Sequence, residues 1–350
     1  MESKRKGAMK LSVLDQSPVP AGSTPGDALR NTIHLARTAD TLGYERYWIA
    51  EHHAIETLAC PAPEILITRV AAETSGIRVG SGGVLLPHYS PLKVAEVFRM
   101  LHAMYPGRID LGLGRAPGSG GLEAFALQRD RSKRLQADDF PEQLTELLAL
   151  LHRGFPPEHP FSRIKISPDM PGAPDVWLLG SSAWSAAVAA RFGLPYAFAH
   201  FIGPEQTAEA LAHYREHFRP SKFLSEPRAI LTLGVVCANT QAEAERLAAS
   251  TKLLIRRIRL GGPRRPVPTP EEALAELETL GEDADPLTWD ASAWPRYVVG
   301  DAERVSATLK QMARELQVEE LMILTVIHDH QARVHSYELL AEAFELTKRC

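Results

Sequence analysis

Eight times along the chain, a short run rich in β-branched and aromatic residues is followed by a stretch with helical periodicity. The strand-like runs are Leu11–Gln16, Arg46–Glu51, Val79–Leu86, Ile109–Gly114, Asp175–Gly180, Tyr196–Ile202, Ala229–Cys237 and Glu320–Ile327. Helical patterns follow at Asp27–Leu42, Pro63–Thr74, Pro91–Met104, Asp139–His152, Ser182–Phe192, Glu205–Phe218 and Ala242–Arg259, and Ala302–Leu316 and Tyr337–Thr347 flank the last strand. Asp27 reads as an N-cap and Gly43 as a terminator. Several strands are apolar on both faces, as in a parallel sheet covered on both sides. Eight such units in 350 residues predict an α/β fold, a closed (β/α)8 TIM barrel rather than an open doubly wound sheet.

A Gly/Pro-rich segment, 261–295, interrupts the rhythm and reads as a lid or insert before the eighth strand. Residues 10–350 then form a single domain. The opening residues 1–9 are basic but lack an apolar core, so they read as a disordered extension and not a secretory signal. With 39 basic and 43 acidic residues the formal net charge is −4, which argues against nucleic acid or an anionic membrane as partner. No apolar run approaches the roughly 18 residues of a membrane span. Three scattered cysteines, Cys60, Cys237 and Cys350, point to reduced thiols in a cytoplasmic protein.

In such a barrel the chemistry sits at the C-terminal ends of the strands. Those ends carry Glu51-His52-His53, Gly82-Gly83 with His88 beyond, Gly114-Arg115, Gly180-Ser181-Ser182, His200 and His328-Asp329-His330. Adjacent strand residues face opposite ways, so His52 and His53 do not both look inward, and no metal site is expected. A dinucleotide fingerprint fails at Gly112-Leu113-Gly114-Arg115-Ala116-Pro117, where proline replaces the third glycine and no helix follows. A monophosphate fits better. Gly180, Ser181 and Ser182 lie between strand and helix, where free N–H groups and the helix dipole favour an anion, and Arg115 supplies a charge-assisted contact; Ser182 taken alone reads better as an ordinary helix cap. Gly82-Gly83 inside a strand marks either a flat ring approaching the backbone or a tight barrel corner.

The ordered strings Trp48-Ile49-Ala50-Glu51-His52-His53, Val79-Gly80-Ser81-Gly82-Gly83-Val84-Leu85-Leu86-Pro87 and Gly107 through Arg115 resemble bacterial luciferase-like flavin monooxygenases. Leu179-Gly180-Ser181-Ser182, Phe192-Gly193-Leu194-Pro195 and Val318 through Met322 continue the likeness, which runs from about Lys10 to Leu346. The chain is most similar to the single-chain branch, through Pro87-His88-Tyr89-Ser90-Pro91 and Asp139-Phe140-Pro141-Glu142-Gln143. The resemblance implies a monooxygenase that uses reduced FMN and dioxygen, through a peroxyflavin, on a small organic substrate. It makes His52 the catalytic residue, a proton carrier titrating near neutrality. Arg115, Ser181 and Ser182 would hold the FMN phosphate, and Gly82–Gly83, joined by a cis peptide bond, would pass beneath the ring.

His200, from its place on the sixth strand, reads as a contact to the ring edge, with His88, His200 and the lid bounding the substrate. With no nicotinamide site in the sequence, a separate flavin reductase is expected as partner, and the resemblance implies a homodimer. Where luciferases place a cysteine before the phosphate arginine, this chain has Gly114, so light emission does not carry over. Two rivals remain: a deazaflavin-dependent hydride-transfer enzyme on the same barrel, and a non-catalytic flavin-binding protein.

Overall fold

A computed structural model describes residues 9–116, 121–129, 131, 139–262, 264–281, 287 and 294–349. The opening residues 1–8 and most of 282–293 fall outside it, so the extension and part of the lid segment lie outside the described residues. The strands are β1 (Lys10–Asp15), β2 (Arg46–Ile49), β3 (Arg78–Ser81), β4 (Val84–Leu85), β5 (Ile109–Gly114), β6 (Asp175–Gly180), β7 (Tyr196–Ala199), β8 (Ala229–Ala238), β9 (Tyr297–Asp301) and β10 (Glu320–Leu324). The helices are α1 (Pro25–Leu42), α2 (Pro63–Glu73), α3 (Pro91–Met104), α4 (Gly121–Leu127), α5 (Phe140–His152), α6 (Ala183–Phe192), α7 (Thr207–Glu216), α8 (Gln241–Arg259), α9 (Pro270–Thr279), α10 (Ala302–Glu315) and α11 (His330–Ala343).

All the ladders are parallel, in the order β1, β2, β3, β5, β6, β7, β8 and β10, and β10 pairs with both β8 and β1. The sheet therefore closes into the expected eight-position barrel. The third predicted strand is broken in two: β3 and β4 flank Gly82-Gly83 and both pair with β5. One strand was not foreseen. β9 lies outside the barrel and pairs with Gly234–Ala238, the second half of β8, while Ile230–Gly234 pair with β10.

Local chemistry sets the helix ends. Thr24, not Asp27, caps α1. Asp27 is the third helical residue, and its carboxylate accepts from the Thr24 N–H (2.9 Å) while its own N–H donates to the Thr24 hydroxyl (3.2 Å), a reciprocal capping box. Gly43 ends the helix at φ 92°, a conformation open to glycine at little cost.

The barrel interior decides which end is open. Alternate strand residues point inward, and Leu14, Trp48, Trp177, Ile230 and Met322 form a packed cluster there. The two indoles meet edge to face at 5.4 Å, worth about 0.5–1.5 kcal/mol beyond area burial. Toward the N-terminal ends of the strands the filling is ionic. Arg46 pairs with Asp110 and Glu320, each at 2.7 Å, Trp48 Nε1 donates to Asp110 (2.9 Å), and Ser12 donates to Glu320 (2.7 Å). This network plugs the bottom. At the opposite end the inward residues are small, Ala50, Gly82, Gly83 and Gly114, and space is left.

Candidate active site

That space is a cavity of about 380 Å3 at the C-terminal mouth, walled by residues from all eight barrel positions, most of them at strand ends or in the segments that follow. His52, Gly82, Gly83, Arg115, Gly180, Ser181 and Ser182 all line it. These seven candidates span residues 52 to 182 in sequence and meet on one rim because each ends or follows a strand.

The Gly82–Gly83 peptide bond is cis. A Cβ on Gly82 would lie 2.5 Å from Leu14 Cδ1, and one on Gly83 would lie 2.8 Å from the Gly112 carbonyl oxygen. The two glycines are thus both the cavity floor and a tight corner of the barrel.

The anion side is built on β6 and α6. Ser182 occupies the N-cap of α6 in extended conformation. The Ser185 hydroxyl donates to the Ser182 carbonyl (2.7 Å) and shares a bond with the Tyr196 hydroxyl (2.8 Å), which fixes the loop. A Cβ at Gly180 would strike the Ser185 side chain at 2.2 Å, so glycine lets strand and helix approach. Across from this turn, the Arg115 guanidinium lies over the Trp184 ring, 3.9 Å from its centroid, and no ion pair to it is formed among the described residues. Trp184 was missed from sequence; its signal was a bulky aromatic two residues past Ser182, at the start of the same helix.

On the other rim, β2 ends in the Glu51-His52-His53 turn. The buried Glu51 carboxylate accepts from the Tyr89 hydroxyl (2.7 Å) and the Leu85 N–H (3.1 Å), and bonds His53 Nε2 (2.6 Å). Glu51 therefore locks the turn after β2 to β4 and to Tyr89, and carries His53 away from the cavity. His52 remains facing it, with its backbone N–H held by the Cys60 carbonyl (3.0 Å). Its Nδ1 is buried and makes no hydrogen bond among the described residues. Burial first, then the electrostatic effects of Arg264 and His53, push its imidazole down to about 4, below the near-neutral titration expected from the sequence, so it is neutral at pH 7.

His200 stands apart. β7 ends at Ala199, and the His200 side chain turns away from the mouth, wholly buried, with Nδ1 bonded to the Thr207 hydroxyl (2.7 Å) and Nε2 to the Pro295 carbonyl (3.0 Å). A carbonyl only accepts, so Nε2 carries the proton. The neighbouring Phe201 and Ile202 line the cavity instead. His88 is also buried, edge-on to His53 at 6.4 Å between ring centroids, and is not on the wall. Among the described residues no three His, Cys, Asp or Glu side chains cluster as metal ligands.

A closed parallel barrel whose C-terminal mouth gathers an arginine, a serine-capped helix, a glycine floor and a histidine with an unpartnered Nδ1 among the described residues has the layout of an α/β-barrel enzyme. The family profile described as luciferase-like monooxygenase matches residues 9–320, and the chain belongs to that family. It is 38% identical to a luciferase-like monooxygenase of Escherichia coli K12, over 96% of this chain and 97% of the relative. It is 36% identical to an N-acetyl-S-alkylcysteine monooxygenase of Bacillus subtilis, over 97% and 100%. The crystal structure of apo-MsnO8 superposes with a TM-score of 0.89 at 52% identity, over 97% of this chain and 100% of that one. Two more distant structures share the fold: the oxygenating constituent of 3,6-diketocamphane monooxygenase in complex with FMN (TM-score 0.71, 20% identity) and an F420-dependent secondary alcohol dehydrogenase (TM-score 0.69, 13% identity). No helix among the described residues is long and apolar enough to cross a membrane.

Proposed function

We propose that this chain is an FMN-dependent monooxygenase that uses reduced FMN and dioxygen to oxidise a small organic substrate. The observation that carries it is the meeting, on one cavity, of an Arg115 guanidinium that pairs with no carboxylate and a buried His52 Nδ1 that meets no partner among the described residues. Both are the kinds of group a bound anion and a bound polar ring would satisfy. Arg115, Gly180, Ser181 and Ser182 would hold the phosphate, and Gly82 and Gly83 would support the ring. Reduced FMN, when bound, supplies the electrons that activate dioxygen.

The chain's own residues do the rest. Neutral His52 takes up a proton at its free nitrogen and returns it, which is the work of a base that starts unprotonated. Glu51 holds the turn that aims it. Leu14, Leu179, Phe201 and Met322 make the cavity largely apolar and exclude water. His200 is assigned to anchoring the wall, not to the cofactor. The relative named N-acetyl-S-alkylcysteine monooxygenase supports oxygenation as the reaction. A separate reductase in the cytoplasm supplies the reduced flavin. The chain pairs with a second copy through the exposed apolar face of α2 and α3, where Ile65, Met100 and Met104 are 70%, 57% and 43% exposed.

An anaerobic titration with reduced FMN, in parallel with reduced deazaflavin, followed by mixing with dioxygen, tests the reading. Saturable FMN binding with altered reoxidation is the expected result. Binding of the deazaflavin alone would make the chain a hydride-transfer enzyme, and FMN binding with unaltered reoxidation would make it a carrier.

A further inference from the structure

Gln16 lines two cavities. Beside the main one it borders a smaller space of about 140 Å3, walled by Ile55, Leu58, Leu254, Ile255 and Val326 and rimmed by arginines. The rim is held in place by a short ladder: the Val267 N–H donates to the Val19 carbonyl and the Ala21 N–H to the Val267 carbonyl, each at 2.8 Å, and the Ser250 hydroxyl holds the Pro268 carbonyl at 2.8 Å. Arg264 and Arg265, just before this anchor, line the cavity from its exposed edge. A third guanidinium there, Arg257, is already neutralised by both carboxylate oxygens of Glu276. Glu276 also feels the charge of Arg265, but its oxygens are spoken for. Among the described residues no carboxylate is bonded to Arg264 or Arg265.

An apolar pocket with two guanidinium groups at its lip that bond no carboxylate among the described residues matches one ligand chemistry: an aliphatic body ending in an anion, with the body desolvated inside and the charge at the rim. We propose that the second cavity is the substrate anchor, and that the organic substrate is an aliphatic carboxylic acid whose carboxylate rests on Arg264 and Arg265. Gln16 marks where its reactive part passes toward the main cavity. The charge of Arg264 reaches His52, so the anchor and the proton carrier are electrostatic neighbours. This rests on the reading above, in which the main cavity belongs to the flavin.

Titration of the full chain with hexanoate, hexanamide and 1-hexanol, with and without reduced FMN, tests it. Hexanoate should bind at least about tenfold more tightly than either neutral probe, and the preference should shrink as salt is raised. The double variant Arg264→Gln/Arg265→Gln should erase the preference and leave the affinity for reduced FMN unchanged. Should that variant fold poorly, the single variants Arg264→Gln and Arg265→Gln should each weaken the preference, and an unchanged preference in both would equally overturn the assignment. Equal binding of acid and amide, absence of hexanoate binding in both arms, or a preference that survives the double substitution in a folded protein would overturn the assignment. Because FMN affinity is read separately, its loss would strike the monooxygenase reading, whereas loss of acid preference alone strikes only the anchor.

Discussion

Arg115 rests its guanidinium on the indole of Trp184, 3.9 Å from the ring centroid, at the start of the helix that Ser182 caps. The ring orders the cation without neutralising it, so its charge stays available to an anion in the cavity. Arg115→Ala should weaken reduced-FMN binding by about tenfold or more, the usual worth of a charge-assisted bond. Trp184→Leu should cost less, because the charge persists and only its ordering is lost. Flavin titration measures both, and unchanged melting temperatures would show that the fold is not the cause.

The depressed pKa of His52 sets a direction for acid stability. Its folded value is about 4 and the unfolded one about 6.5. Between those values the unfolded chain binds more protons, so stability is full above the upper one and falls as pH drops toward the lower. His152 and His330 are pushed down to about 4 as well, chiefly by burial, and act in the same sense. Urea midpoints from pH 7 to pH 4.5 should therefore decline, and His52→Gln should flatten part of that decline. An unchanged slope in the variant would mean that folded His52 protonates freely.

Gly112 and Gly114 are two residues apart on β5 and should respond oppositely to substitution. A Cβ on Gly112 would lie 2.1 Å from the Ser81 carbonyl oxygen, whereas one on Gly114 would lie 3.6 Å from Leu85 Cδ2, in ordinary contact. Gly112→Ala should lower the melting temperature by many degrees or prevent folding. Gly114→Ala and Gly114→Cys should fold normally, with a slightly smaller cavity.

The ionic plug offers a stability test far from the cavity. Asp110→Ala removes a carboxylate shared by Arg46, Arg78 and Trp48, and breaking a buried pair on one side costs about 3–5 kcal/mol. Urea unfolding should show a loss of that order, and Asp110→Asn a smaller one.

Ile65→Asp combined with Met100→Asp places charges on the exposed apolar face of α2 and α3. Sedimentation should show a dimer for the unaltered chain and a monomer for the variant. Identical behaviour of the two would remove that face as the interface.

The barrel was legible because its strands, apolar on both sides, end in residues that have no business in a core: the Glu51–His53 turn, the Gly82-Gly83 pair, Arg115 and the serines after Gly180. What escaped was whatever depends on where a strand stops. Tyr196–Ile202 reads as one continuous strand, yet it ends at Ala199, and the turn swings His200 behind the wall and brings Phe201 forward. Tyr297–Asp301 is as β-branched as its neighbours, but it follows a Gly/Pro-rich stretch and runs straight into Asp301, the cap of α10, so periodicity merges it with the approach to that helix. Glu51 was seen as part of a motif, but its bonds to Leu85 and Tyr89 cross more than thirty residues of chain, and no spacing reveals them.

β8 forks at Gly234, its first half sealing the barrel and its second half leaving with β9. From just before β9, Arg296 donates to the carbonyls of Phe201 (2.6 Å) and Ile202 (3.1 Å), and the Pro295 carbonyl accepts from His200. One side of the mouth is thus tailored by a strand that is no part of the cylinder, while the glycine floor and the serine turn belong to the cylinder itself. Insertions or deletions before Trp294 can reshape the first without disturbing the second. The mouth is therefore half cylinder and half graft, and a change of length in the graft leaves the other half's frame standing.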